Sequence, residues 1–379
     1  MRRKLALVWQ CNLFRTLLLL LFSLLTNCAQ QPAATVLSAG LESTPLATVD
    51  SAVFAISPAG AQIARTMAGL KVTDGVTGEQ LWLDARTPLA LAWSADGRQL
   101  AAAFAEGAGQ VRLVLYSPQR RAQQEQVIDG AVRGLRFASD GQVVAVVDVV
   151  RAYRFGEHRE VRLVRWDGKS APAVVALGAA TVEPVSLARF GSILARSQWV
   201  DFSPWGDEIH FARLHDPPAA DPYCELVARH LESGSERVLA RVNVSSIGGR
   251  FFGNGDQLVY DDGEGALREL DLWSGQSRPL AFKSDAAGII AARSRFVWTG
   301  GALFEDGREL LRLAQVEAAA FAADGSFYFI RNDRLQRLSG LVFADAVAVS
   351  DPLLRLRNWR AAGLISPQEF EKQKRRVAP

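Results

Sequence analysis

Cysteine and histidine are scarce in this chain of 379 residues, and each scarcity closes off a class of reading. The three cysteines are Cys11, Cys28 and Cys224. Cys11 lies in an N-terminal leader and Cys28 at its end, so with the leader removed and Cys28 modified only Cys224 remains. No internal disulfide is then possible, and the fold cannot depend on cystines. A lone Cys224 reads as an inert, partly buried residue and not as a reactive thiol. Four histidines leave few general bases. There is no Gly-x-Ser-x-Gly elbow, and no length remains for a hydrolase domain beside the repeats described below. His210, His215, Asp216, Asp221 and Cys224 are metal-competent types close in sequence, but their spacing fits no compact zinc motif. The turn glycines, Gly78 among them, precede no helix and make no phosphate loop. Neither a metal nor a cofactor is expected.

The body also lacks a basic surplus. Residues 1–27 carry +4 and residues 353–379 carry +5 of a formal net charge of +3, which leaves −6 on residues 28–352. A nucleic-acid-binding body would show a basic stripe, so no nucleic-acid partner is expected.

What is present begins with the leader. Arg2-Arg3-Lys4 precedes an apolar run, Leu17–Leu25, that is short for a spanning helix. A basic start followed by a short apolar core is a secretory signal. Leu25-Thr26-Asn27-Cys28 resembles a bacterial lipobox, matching at Leu25, Thr26 and Cys28, with Asn27 standing where a Gly, Ala or Ser is usual. The resemblance implies lipidation of Cys28. Ala29 does not resemble an inner-membrane retention signal, so it implies the periplasmic side of the outer membrane. An uncleaved leader anchored in the inner membrane is the alternative. Residues 29–46, rich in Ala, Gln, Pro, Ser and Thr, read as a flexible tether.

The body is built from one repeated unit, strand, tight turn, strand. Leu91-Ala92-Trp93-Ser94-Ala95-Asp96-Gly97-Arg98-Gln99-Leu100 shows it most fully, continuing to Phe104. Copies run over 53–64, 135–146, 200–211, 250–260 (looser) and 320–329, and Ile289–Trp298 is an apolar copy without turn residues. The glycines at 60, 97, 141, 206, 255 and 325 are spaced by 37, 44, 65, 49 and 70 residues. Strand-turn-strand units at such spacing mark a β-propeller. About seven four-stranded blades are expected, with six or eight also compatible. Leu226–Gly234 and Leu267–Gly275 alternate and end in Ser-Gly turns, as outer hairpins do. Leu46–Val53 is placed to close the ring by pairing into the last blade. The excursions Val149–Glu160 and Gly178–Gln198 interrupt the rhythm.

The Ser-Pro-x-Gly and Ser-x-Asp-Gly turns resemble those of TolB-type periplasmic propellers over roughly residues 50–345. Lys71–Trp82, with Asp74, Thr77, Gly78 and Trp82, resembles instead the blade of quinoprotein-like propellers, including a lipoprotein of outer-membrane protein assembly. Asp216-Pro217-Pro218-Ala219-Ala220-Asp221-Pro222 reads as a rigid inter-strand loop. Propellers present function on such loops, so His215, Asp216, Pro217, Pro218 and Asp221 are candidate partner contacts.

After Ser350 the period becomes helical. Leu353, Leu356, Trp359 and Gly363 share a face. Ser366 and Glu369 form a capping box, with Ile365 and Phe370 at the staple positions. Leu356, Gly363, Leu364, Ile365, Glu369, Phe370, Glu371 and Lys374 resemble the short C-terminal (SHOCT) domain, which implies docking or oligomerisation. So small a hairpin needs another surface, and its docking face is expected to be Leu353, Leu356, Trp359, Leu364, Ile365, Phe370 and Val377. The expected organisation is a signal peptide over 1–27, a tether over 28–46, an all-β propeller over 47–349 and a helical hairpin over 350–379. The expected function is a lipid-anchored, non-enzymatic module that binds or scaffolds envelope proteins, with the hairpin mediating docking or oligomerisation. The alternative is a propeller enzyme, a metal-dependent lactonase-like hydrolase or a quinoprotein-like oxidoreductase.

Overall fold

The computed structural model describes residues 41–341, except 59, 108, 118–121, 195–199, 204–206, 246–248, 252–256, 273, 284–290, 294–295, 306, 323–325 and 340. It also describes 356–377, except 358–359 and 361–365. The strands form seven four-stranded antiparallel sheets, each a blade. Blades I to VI occupy residues 54–84, 88–129, 131–182, 200–243, 249–283 and 291–312 in chain order. Blade VII takes three strands from 316–339 and its fourth from the other end of the domain, Glu42–Thr48. The protein is therefore a seven-bladed β-propeller with a helical segment at its C-terminal side.

The second strands of the blades show why this sequence makes a ring. Val143 to Val147 are all buried, although strand side chains alternate between faces. Val143, Ala145 and Val147 pack with blade II, while Val144 and Val146 pack with blade IV. Likewise Leu100, Ala102 and Phe104 face blade I, and Ala101 and Ala103 face blade III. Phe327 and Phe329 face blade VI, and Tyr328 and Ile330 face blade I. Each of the seven buried apolar clusters among the described residues lies between one pair of neighbouring blades. The core is thus a set of radial layers, and a strand is sandwiched only when both neighbours are in place.

Closure at blade VII is a strand swap between the ends of the domain. Glu42 pairs with Ser339 and Thr48 with Arg334, with an irregularity between Pro45 and Ala47. Proline is tolerated there because this strand is an edge and its missing N–H costs no ladder bond. The closing strand begins at Glu42, so the expected boundary between tether and propeller at 46/47 moves toward the N-terminus. The expected closing segment, 46–53, supplies only its first residues to the pairing. The rest forms the connection into blade I, where the Asp50 N–H donates to Thr66 O and Arg65 Nη1 to Thr48 O, at 3.1 and 2.7 Å.

Turn chemistry repeats with the blades. In the opening unit of blade II, Ser94 Oγ donates to Asp96 Oδ1 and accepts from the Gln99 N–H, at 2.7 and 2.9 Å. Gly97 supplies the required φ of +68°, a conformation open to glycine at no steric cost. The third-to-fourth strand turns have their own signature. Asp74 accepts from the N–H groups of Val76 and Thr77, and Asp271 from that of Ser274. At the same place in blade IV, His230 Nδ1 accepts from the Ser233 N–H at 3.1 Å. The Asp74–Gly78 turn of the quinoprotein-like stretch is therefore one member of a recurring turn in which serine can replace Thr77 and histidine Asp74.

Polar side chains join neighbouring blades through backbone carbonyls. Trp93 Nε1 donates to Ala55 O, Tyr116 Oη to Leu81 O, and Arg165 Nη1 to Leu231 O. Arg133, paired with buried Asp148, reaches Ala212 O at 3.1 Å. Glu208 lies between His210 and Arg237, and Arg237 continues to Leu272 O of blade V.

The degenerate 289–298 copy is a real blade, its inner strands being Ala291–Arg293 and Phe296–Thr299. On the C-terminal side, Leu356, Arg357 and Arg360 are helical and a second helix spans Pro367–Val377. The two segments meet at buried Phe370, whose ring lies 5.1 Å from the Arg360 guanidinium. The Phe370 N–H donates to Ser366 O, consistent with Ser366 at the helix start. Of the expected docking face, Leu356 and Phe370 are buried. Leu353, Trp359, Leu364 and Ile365, and the side chain of Val377, lie outside the described residues, as does Cys28. No helix among the described residues is long and apolar enough to cross a membrane.

The Glu208 cluster predicts an acid dependence. Burial alone would raise the carboxyl, but His210 and Arg237 outweigh it and hold its pKa at about 2. A depressed carboxylate stabilises the fold fully above its unfolded value, near 4.3, and the contribution is lost as pH falls through the folded value. Glu208→Gln should be less stable than the native protein by about 3 kcal/mol at neutral pH. Urea unfolding should show that gap closing between about pH 4.5 and pH 2, as linkage requires.

Candidate functional site

Blade III breaks the ring's regularity, and the break builds the candidate site. Its inner strand, Ala131–Phe137, pairs with the second only as far as Asp148. The second and third strands, Val143–Tyr153 and Gly156–Trp166, continue their ladder to Tyr153 and Gly156. The outer strand, Ala173–Val182, follows them, with Val182 opposite Glu157. Five residues beyond Asp148 at strand rise carry the hairpin roughly 17 Å past the inner strand. The Val149–Glu160 excursion is therefore continuous, fully paired sheet.

At its tip a two-residue turn, Arg154-Phe155, joins the strands. Gly156 has a φ of +136°, and a Cβ there would meet Val182 O at 2.2 Å. Only glycine fits, so the tip is pinned to the outer strand. Phe155 is 75% exposed, Tyr153 59% and Val150 46%. The Arg154 guanidinium lies 5.4 Å from the Phe155 ring. Lower on the hairpin, Glu157 pairs with Arg159 and Glu160 with Arg162. The Arg162 hydrogen bond, opposed by some desolvation, lowers the Glu160 pKa. Arg151 and Arg154 at the tip are exposed.

The second excursion, 178–198, ends the outer strand and then forms a helix, Pro184–Leu194. Proline suits a first helical turn because its missing N–H would be unpaired there anyway. Leu187, Phe190, Ile193 and Leu194 pack with Cys224, Leu226, Val242 and Leu258 in the layer between blades IV and V. Val185 on the opposite side is 74% exposed. The helix start is satisfied from a distance: Asp216 accepts the Glu183 N–H and the Ser186 hydroxyl, at 2.9 and 2.8 Å. A carboxylate there also meets the positive end of the helix dipole.

Asp216 belongs to the candidate loop between the strands Glu208–His215 and Tyr223–His230 of blade IV. His215 Nε2 lies 3.0 Å from Glu225 Oε2, and its ring stacks on Tyr223 at 5.0 Å. The Arg241 guanidinium covers Tyr223 at 3.6 Å. Asp221 pairs with Arg189 of the helix at 2.8 Å, both well exposed, a geometry worth little in stability. Of the five loop residues singled out from sequence, His215, Asp216 and Asp221 thus hold the loop to the molecule, Pro217 is half-buried and Pro218 is exposed. Cys224 is fully buried in the core layer and so more deeply placed than expected. Buried His210 belongs to the Glu208 cluster, apart from His215. No group of three or more metal-competent side chains occurs among the described residues.

Topology places these parts on one face. In an antiparallel blade the second-to-third strand turns and the connections between blades share one side of the ring. The tip at 154–155, the helix and the loop 216–222 all belong to that set. The Ser-x-Asp-Gly turns belong to the other face, where Glu42 begins the closing strand and Ser339 ends the last one. Tyr153, Phe155 and Val185 were missed by motif reasoning because an exposed apolar residue has no motif; the signal was the interrupted rhythm.

No family model matches the chain, and no curated protein matches it. Solved structures do. The β-propeller domain of Cps50 (Swd1) from Myceliophteria thermophila is 13% identical, covers 82% of this chain and 100% of its own, and superposes with a TM-score of 0.51. U3-55K is 13% identical, covers 81% of this chain and 99% of its own, with a TM-score of 0.50. These likenesses are of fold alone.

Asp216→Ala should leave the Glu183 N–H and the Ser186 hydroxyl without their acceptor. A loss of about 1 kcal/mol, typical of a lost helix cap, is expected in urea unfolding. Amide exchange should quicken selectively at residues 183–187.

Proposed function

We propose that this protein is a non-catalytic scaffold that binds other proteins through the blade III–IV protrusion while tethered at the cell envelope. The observation that carries the reading is the tip: Tyr153 and Phe155 exposed, with Arg151 and Arg154, at the end of a fully paired extension. Tyrosine and arginine are enriched among the residues that dominate protein interfaces, and clustered exposed apolar side chains mark interaction surfaces. Propellers of this architecture generally serve as protein-interaction scaffolds.

The tether follows from the lipobox-like Leu25-Thr26-Asn27-Cys28, with lipid on Cys28 and the outer membrane as the site. The TolB-type turn grammar favours a periplasmic role. Glu42, where the closing strand begins, and Ser339, where the last strand ends, lie on the face opposite the protrusion. Residues 350–379, SHOCT-like in sequence, dock or self-associate.

Cross-linking in membranes of the source cell tests the reading. Tyr153→Ser/Phe155→Ser should keep stability within about 0.5 kcal/mol, as exposed substitutions do, and lose the protein cross-links of the native chain. Unchanged partners would remove the protrusion from consideration. Truncation after Ser350 should abolish oligomeric cross-links, and a lipid precursor should label the native protein but not Cys28→Ser.

A further inference from the structure

The inner strands enclose a cavity of about 570 Å³ at the end of the ring opposite the protrusion. Its walls are aromatic and aliphatic, with Trp93, Phe137, Phe202 and Phe321 contributed by four different blades, and Pro58 and Ala95 are among its lining residues. Two arginines and one carboxylate also line it: Arg133, Arg136 and Asp201. Arg133 is spoken for, since it pairs with buried Asp148 and donates to Ala212 O. Arg136 differs. Among the described residues it has no hydrogen-bond partner, and the charge that acts on it is that of Asp201. Desolvation in the channel lowers its pKa, and Asp201 offsets this only in part.

A guanidinium keeps its charge in proteins and offers five N–H donors in a fixed fork. Partly withdrawing such a charge from water without a close partner is costly, and the ring itself does not call for it, because the equivalent positions Ala92 and Ala320 on other inner strands are small and apolar. The fork matches a carboxylate in two-point geometry. Asp201 close by weighs against a dianion, which it would repel. The cavity falls within the range of small-molecule sites, mostly apolar with a few placed polar groups.

We propose that this cavity is a binding site for a small amphipathic organic carboxylate, its carboxylate on Arg136 and its apolar or aromatic body against Trp93, Phe137, Phe202 and Phe321. The site is separate from the protrusion and does not depend on the scaffold reading.

The probe is 4-phenylbutyrate, titrated into the full-length protein by ligand-observed NMR, with 4-phenylbutanamide as its neutral counterpart and inorganic phosphate as competitor. The acid should bind saturably, and the amide at least about tenfold more weakly, the loss expected for a charge-assisted pair. Arg136→Met should bind the acid with the same loss, Arg136→Lys should recover part of it, and phosphate should not compete. No saturable binding of the acid up to about 10 mM, weaker than a specific site allows, would overturn the proposal. So would equal binding of acid and amide, native affinity in a folded Arg136→Met, or displacement by phosphate at equal concentration. Should Arg136→Met fail to fold, the acid-against-amide comparison on the native protein still decides.

Discussion

Burial of the middle strands on both faces is the constraint on which the rest of the molecule depends. A stretch such as Val143 to Val147 has no polar face to offer water, and no single blade can cover it. Odd residues need blade II and even residues need blade IV. The demand passes from blade to blade and ends only when the ring closes. A slip of one residue would not expose the strand, but it would present the wrong volumes to each neighbour. In blade II, for example, Ala101 and Ala103 would turn to the side filled by Leu100 and Phe104. Register is therefore held by packing complementarity as well as by turns.

Polar groups tighten the same layers. Arg165, Arg133, Arg213 and Arg237 each reach a backbone carbonyl in the adjoining blade. A carbonyl buried between blades is costly to leave unpaired, so each arginine satisfies the neighbour while fixing how far the two sheets slide. Closure by Glu42–Thr48 completes the last layer with the first residues of the domain, and the ends of the fold stabilise each other.

The candidate site arises where one blade exceeds what the ring requires. Blade III continues its outer three strands past the inner one, and the excess cannot be buried between blades because no neighbour extends as far. Its tip residues Tyr153 and Phe155 remain in solvent for that reason. Gly156 locks the turn against Val182, and Asp216 locks the helix start against the loop, so the protrusion is ordered by internal contacts. At the other end of the ring the inner strands leave a channel whose apolar walls surround Arg136.

Much of this was legible in the chain itself. Ser94-Ala95-Asp96-Gly97 and its copies announce tight turns because Ser, Asp and Gly have local reasons to be there, and local chemistry is what sequence records best. The spacing of those turns counts the blades to within one, and the loss of rhythm over 149–198 marks where the regular plan ends. Three cysteines likewise leave little for a cystine framework. Only the tertiary structure decided that 149–160 is paired sheet and not a loop, that Asp216 caps a helix thirty residues earlier in the chain, and that Arg136 faces a channel instead of solvent. Each of those outcomes depends on which strands become neighbours. That is set by the summed packing of all seven layers, a property that no local stretch of sequence contains.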